Sequence, residues 1–358
     1  MKLKTLRSSI DSIDSGIIRL LNKRANIILE VGKIKGKVNG SVYVPDREKE
    51  VYENILSANS GPMSERALKA IYREIMSGSL ELERPLTIAY FGPEFTNTHI
   101  ASMKKFGSSV KYSACGTIRD VFSEVEKSRA DYGVVPIENS IEGAVNYTLD
   151  MFMDSDLKIC SEVFMEISHN LISKESSPKS IRKIYSNPQV FGQCRMWLES
   201  NMPNCELIEV SSTSRAAEIA AQTKNSACIA SILAARHNGL RVLESAIQDS
   251  SHNVTRFLVI GPASAEARPT KEDKTSIMFS VKDRSGALHD VLVPFKRYRI
   301  NMTKIESRPS KVRAWEYYFF VDIEGHYTNT KVLKALAELK KSSAYMKVLG
   351  SYPVGGRI

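Results

Sequence analysis

Apolar residues recur at spacings of mostly three and four from the start of the chain: Leu3, Leu6, Ile10, Ile13, Ile17, Leu20, Ile27, Val31 and Ile34. This is the stripe of one long amphipathic helix, and it predicts a core-facing side. Pro45 and Asp46 open a second helix, with Arg47 and Glu48 in its first turn. A third, from about Ser64, carries Leu68, Ile71, Tyr72, Ile75 and Leu82, and its stripe is continued by the polar Ser79 and Glu83. The first 85 residues show no alternation of period two, so an all-helical domain is expected there. From "RPLTIAYFGPE" onward the texture changes. Short β-rich runs ("LTIAYF", "VKYSAC", "YGVVPI", "IRKIYS", "CELIEV", "ACIAS", "TRFLVIG") alternate with helical patterns, which predicts an α/β domain over 86–262. "PASAEARPTKEDK" reads as a polar linker over 263–273. The remainder, 274–358, predicts strands at 275–281, 301–307, 315–323 and 345–349 and helices at 286–298 and 330–341, a βαββαβ unit.

Length agrees with this division, since 358 residues exceed one ordinary core. The formal charge is +10, but basic and acidic residues are interspersed and form no block, so nucleic acid is not the expected partner. A basic enzyme that gathers small dicarboxylates fits the charge equally well. Cys115, Cys160, Cys194, Cys205 and Cys228 are scattered without a C-x-x-C, as expected of a reducing cytosol. No apolar run reaches the ~20 residues of a membrane span, and the first residues lack the apolar core of a signal peptide. A cytoplasmic location is expected, with no membrane association. No metal-ligand spacing, G-x-G-x-x-G or P-loop occurs, so neither metal nor cofactor is expected.

Candidate chemistry begins on the first helix. Arg24 falls on the apolar stripe, and Lys35 follows eleven residues later. Eleven steps of about 100° return to within ~20° of the same direction, so the two cations share one face. A single such residue commonly snorkels to water. Two on one stripe ask for an anion, because unpaired buried charge is expensive. Arg7 points about a quarter turn away, toward a different site. A helix of about 35 residues would be ~50 Å long, more than its own domain can cover, so a homodimer is expected.

These residues carry a resemblance. "LRSSIDSIDSGIIRLLNKRANIILEVGKIK" with "VYVPDREKEV" is similar to the all-helical chorismate mutases. The resemblance implies that Arg24, Lys35, Arg47 and Glu48 line a pocket with Ser79 and Glu83, and that Arg7 enters it from a partner chain. Chorismate rearranges to prephenate without a base or nucleophile. The site needs only to hold two carboxylates and stabilise charge on the breaking ether oxygen, for which Lys35 and Glu83 are the implied donors. Two positions depart from the pattern: Val44 stands where an acid is common, and Glu83 where some members have Gln.

In the α/β region several turns follow strands and open helices. They present Thr96 and Thr98; Glu138, Asn139 and Ser140; Ser186, Asn187 and Gln193; and Ser212, Thr213 and Ser214. Each alone is an ordinary helix cap, but together they predict a polar cleft between two lobes. "NVTRFLVIG" adds Asn253, Thr255 and Arg256 at the mouth of a buried strand. Together with "AYFGPE", "VVPIENSIEG" and "SNPQVFGQCRMWL", this stretch resembles the prephenate dehydratases, with a periplasmic-binding-like fold. The resemblance implies that Thr255 protonates the leaving hydroxyl of prephenate and that Arg256 holds a carboxylate. Phe257 anchors the strand, and Glu138, Asn139, Ser186 and Gln193 share the pocket. Phe95, Asn97 and Asn187 depart from the pattern. "SGALHDVL" and "KIESRPS" resemble the ACT regulatory domain, implying an L-phenylalanine site at Gly286, Ala287, Leu288, Glu306, Ser307 and Arg308, and side-by-side pairing of two copies. The whole chain is thus expected to be a bifunctional chorismate mutase–prephenate dehydratase with phenylalanine feedback. An arogenate-preferring dehydratase, a two-lobed amino-acid sensor and a basic helical segment binding nucleic acid are the alternatives.

Overall fold

The computed structural model describes residues 3–37, 41–250, 252–265, 267–282, 284–310 and 316–356. Trp315, expected to open a strand, lies outside them. The helical domain consists of α1 (Leu3–Lys37), α2 (Pro45–Ser57) and α3 (Glu65–Glu83). Pro45 starts α2 as expected, and the hydroxyl of Ser64 caps α3 by accepting from Ala67 N. The stripe of α1 behaves otherwise than predicted. Only its last third packs on α3, where Gly32 approaches Glu83 so closely that a Cβ would sit 3.1 Å from Glu83 Cγ. Leu3, Ile13, Leu20 and Ile34 are each more than half exposed. The periodicity is real, but the face it marks has no cover within one chain.

The two-lobed domain follows. Its first lobe contains β1 (Thr87–Phe91), α4 (Asn97–Phe106), β2 (Lys111–Cys115), α5 (Ile118–Glu126), β3 (Tyr132–Asn139), β4 (Gly143–Ala144), α6 (Asn146–Asp154) and β5 (Lys158–Glu166). The second lobe contains β6 (Asn170–Ser173), β7 (Lys183–Ser186), α7 (Pro188–Gln193), α8 (Arg195–Asn201), β8 (Glu206–Glu209), α9 (Thr213–Gln222), β9 (Ser226–Ala230), α10 (Ile232–His237) and β10 (Arg241–Glu244). The chain then returns to the first lobe as β11 (Val254–Gly261). The sheets run β2-β1-β3-β11-β5, with β4 beside β3, and β10-β6-β9-β7-β8. Strands β5, β6 and β10 are not among the predicted runs. Polar Ser161, Glu162 and Asn170 interrupt two of them, yet all three residues are buried.

The C-terminal domain is β12 (Asp273–Ser280), α11 (Ala287–Arg297), β13 (Met302–Pro309), β14 (Tyr317–Glu324), α12 (Thr330–Ser342) and β15 (Tyr345–Pro353), the expected βαββαβ order, with its sheet running β13-β14-β12-β15. It shares a core with the first lobe, in which Met278, Phe320, Leu349 and Tyr352 pack with Phe122, Ile137, Phe152 and Leu258. Gly350 permits this, since a Cβ there would lie 2.2 Å from Ile159 O. The stretch before β12 is also tied down: Ser41 Oγ donates to Ser264 O (2.8 Å) and Lys49 Nζ to Glu272 O (3.1 Å). None of the described helices is long and apolar enough to cross a membrane.

Candidate active sites

The first site lies between α1 and α3. Lys35 Nζ is 3.0 Å from Glu83 Oε1 and donates to Val42 O at 3.2 Å. One turn before Glu83 on α3, Ser79 Oγ accepts from the Arg24 guanidinium and itself donates to Ile75 O (2.7 Å). Burial pushes the Arg24 guanidinium below its ordinary value, and the nearby charge of Arg47 adds to this, with Tyr72 opposing. Arg47 itself is exposed and pairs with Glu50 (2.6 Å). Arg7 is exposed on the uncovered part of α1, about 25 Å along the helix from Arg24, and cannot reach this pocket in its own chain.

Glu48 differs from the expectation of a pocket wall. Its Oε2 accepts from Lys105 Nζ of α4 (2.6 Å) and from the Tyr43 hydroxyl (3.0 Å). Tyr43 is buried between Phe106 and Tyr132 of the two-lobed domain. Tyr43, just before α2, and Glu48, in its first turn, therefore dock the helical domain onto the two-lobed domain. The Lys105 partner of Glu48 lies 57 residues away on another domain, beyond the reach of helix periodicity.

The second site is organised by strand register. β11 lies beside β3 with Thr255 opposite Asn139 and Arg256 opposite Glu138. Successive side chains leave a strand on opposite faces, so the two pairs part company. On one face Asn139 Nδ2 donates to Thr255 Oγ1 (2.9 Å) and to Asn253 Oδ1 (2.8 Å). Asn253 Nδ2 donates to Gln193 Oε1 (2.9 Å), and Gln193 Nε2 donates to Glu142 Oε1 (2.6 Å). The row crosses from the first lobe to α7 in the second. Thr255 Oγ1 is an acceptor in this row.

The other face corrects the expectation for Arg256 and Glu138. Arg256 is 5% exposed, with Nε on Glu162 (2.7 Å), Nη1 on Asp322 (2.6 Å) and Nη2 on the Tyr352 hydroxyl (3.0 Å). Burial works against its charge, but Tyr352, Asp322 and Glu162 outweigh it and hold the guanidinium above its ordinary value. Lys274 also pairs with Glu162 (2.9 Å), and Glu138 pairs with Lys304 (2.8 Å). Arg256 is saturated by carboxylates from two domains and ties β11 to the C-terminal sheet.

Ser186 is also placed differently: fully buried, its hydroxyl donates to Ile229 O (2.9 Å). Asn187, Ser212 and Ser231 are helix caps. Phe95 adopts a left-handed φ of 66° and stacks on His237 (4.0 Å between centroids), and Ser231 Oγ donates to its carbonyl (3.1 Å). The turn carrying Phe95 is thereby latched to the second lobe. Sequence reasoning missed His169, whose Nε2 lies 2.6 Å from Gln193 Oε1. Burial pushes its pKa down, against the bond to Gln193 and the charge of Glu142. Its only signal was a lone His between two apolar runs.

In the C-terminal domain Gly286 has φ 76° and caps α11, with open space where a Cβ would stand. Arg308, on β13, pairs with Asp150 of α6 (3.2 Å). Glu306 is half-buried on the same strand and Ser307 is exposed; Ala287 is buried and Leu288 lies at the surface of α11. Among the described residues no group of three or more His, Cys, Asp or Glu could hold a metal ion.

Comparison with known proteins agrees with this layout. Family models match as chorismate mutase type II over residues 6–84, prephenate dehydratase over 88–265 and ACT domain over 275–341. A bifunctional chorismate mutase/prephenate dehydratase of Aquifex aeolicus is 51% identical over 356 residues, 98% of each chain. Its counterpart in Pseudomonas aeruginosa is 42% identical, again over 98% of each. Among solved structures, the prephenate dehydratase of Arthrobacter aurescens in complex with L-Phe is similar with a TM-score of 0.70 and 32% identity, covering 75% of this chain and 90% of that one. The chain belongs to the bifunctional chorismate mutase/prephenate dehydratases, with both enzymes and an ACT domain in one polypeptide.

Proposed function

We propose that the two sites work in sequence under control of the third domain, with division near residues 85, 262 and 273. Arg24 and Arg47 hold the carboxylates of chorismate, together with the partner subunit's Arg7. Lys35, steadied by Glu83, donates to the ether oxygen as its bond breaks. Ionised Glu83 has only acceptors, so it donates to that oxygen only when protonated. The uncovered stripe of α1 supports a homodimer, since a second copy would bury that stripe and deliver Arg7. In the second site Thr255 gives its proton to the hydroxyl of prephenate, which leaves as water. The ring carboxylate departs as CO₂, and its bonding electrons complete the aromatic ring of phenylpyruvate. Thr255 is then reprotonated from solvent. Aromatisation drives the step, so a well-oriented weak acid suffices.

L-phenylalanine binds at Gly286–Leu288 and Glu306–Arg308, a reading supported by the open left-handed turn at Gly286. Inhibition reaches Thr255 through Arg256. The chain acts in the cytosol. The observation that carries the dehydratase assignment is the Asn139–Thr255 bond, which leaves the hydroxyl proton available. The test is to incubate the full-length protein with chorismate and follow prephenate and phenylpyruvate, with and without phenylalanine. Both products, the second suppressed by phenylalanine, are expected. Accumulation of prephenate alone would reject the assignment of the second site.

A further inference from the structure

We propose that His169 is a positioning residue of the dehydratase reaction, fixing the direction of the amide row that leaves the Thr255 proton to the substrate. This rests on Thr255 being the donor. A row of amides can run in two directions, and only one presents an N–H to Thr255 Oγ1. Asn139 is locked, because its Oδ1 accepts from Ile141 N (3.0 Å) and Glu142 N (3.2 Å). Its two amide hydrogens therefore go to Thr255 and Asn253, and Asn253 must turn its own N–H toward Gln193 Oε1.

Everything then depends on Gln193 keeping its oxygen inward. Two groups enforce that. Glu142 is exposed, and its hold on Gln193 Nε2 competes with water. His169 is 3% exposed and meets the same oxygen that accepts from Asn253. Its Nε2 must therefore carry hydrogen. If that donor is removed, only the exposed Glu142 opposes rotation of the Gln193 amide, which sets two N–H groups against each other at Asn253. Asn253 would reverse in turn and face the Asn139 N–H groups, which cannot yield. The conflict ends beside Thr255.

The histidine is also tied to both crossings between the lobes. It sits on the crossing from β5 to β6, and the return crossing is bonded to it: Ile247 N donates to His169 O (2.8 Å), and His169 N donates to Gln248 Oε1 (3.0 Å). The backbone that carries the ring is thus bonded to the return crossing.

The test uses the full-length enzyme with prephenate supplied. His169→Leu should lower dehydratase kcat about 10- to 100-fold, the scale of a misplaced catalytic group. KM should change less than about twofold and mutase activity should stay at the parent level. His169→Gln, whose amide reaches the Nε2 position, should recover to within about threefold of the parent. A parental kcat in the Leu variant, or a Gln variant as slow as Leu, would overturn the proposal. If His169→Leu loses both reactions through misfolding, the Gln variant decides alone, and a loss of about tenfold or more sinks the idea. Thr255→Ala is run alongside. If it keeps the parental rate, the reading of Thr255 fails; if it is inactive while His169→Leu is normal, only the role of His169 fails.

Discussion

The proposed mutase and dehydratase sites draw on the chain in opposite ways. The dehydratase row, from Glu142 through Gln193, Asn253 and Asn139 to Thr255, is complete within one polypeptide, every member bonded to the next. The mutase pocket gathers Arg24, Ser79, Lys35 and Glu83 from one chain, but Arg7 lies out of reach and the stripe beside it is bare. The dehydratase row is set by strand register, which one chain specifies fully. The mutase pocket is set by helix packing, and the stripe of α1 beside it is bare within one chain. The difference teaches that independence of the two activities should be one-sided, and variants can expose this.

The largest expected effect is on the complete site. Thr255→Ala should lower dehydratase turnover by about 10²-fold or more, the usual scale for a positioned acid, with mutase untouched. Near-parental phenylpyruvate formation would break the assignment. Arg24→Ala should lower mutase kcat/KM by about 10²- to 10³-fold, as expected when one charge-stabilising donor is lost, while supplied prephenate is still consumed. Joint loss of both activities would mean that the sites are not separable.

A third variant tests the proposed second copy. Ile13→Glu with Ile17→Glu puts like charges on the bare stripe. Mutase activity should then fall steeply as the protein is diluted, while dehydratase activity should depend on concentration far less. A mutase rate per chain that is constant on dilution and equal to the parent's would remove the need for a second copy.

How much of this was legible follows the same contrast. Arg24 and Lys35 could be placed on one face from helix geometry alone, and the structure has both on the α3 side of α1. Thr255 and Asn139 were singled out by motif, and the structure bonds one to the other. Arg256, the next residue, was misread because adjacent residues on a strand serve different faces, and its partners Asp322 and Tyr352 come from another domain. Glu48 was misread for the same reason, since Lys105 is remote in sequence. His169 carried no local pattern, because its importance lies in one contact to Gln193 across the crossing between lobes.

Arg256→Lys sharpens the comparison further. A lysine keeps the charge but cannot meet Glu162, Asp322 and Tyr352 together. If the cluster couples the ACT sheet to β11, the phenylalanine concentration for half-inhibition should rise about 5- to 10-fold, within the usual range of allosteric coupling. Turnover without phenylalanine should change less. Unaltered inhibition would show that the signal takes another route.

The smallest effect is one of stability. Burial lowers the pKa of His169, so the folded protein holds the ring neutral where the unfolded chain would begin to protonate it. The unfolded state binds the extra proton between the two values. The contribution to stability is therefore full above the unfolded value of about 6.5 and is lost as pH falls through the folded one. His169→Gln cannot titrate and lacks this dependence. Melting temperatures of parent and variant, taken from pH 7.5 down to 5, should show the parent's advantage shrinking by on the order of a few °C at most. His99, also lowered by burial, is present in both proteins and cancels, as do the carboxylates around Arg256. A difference that stays constant across that range would mean that His169 is not held neutral by its surroundings.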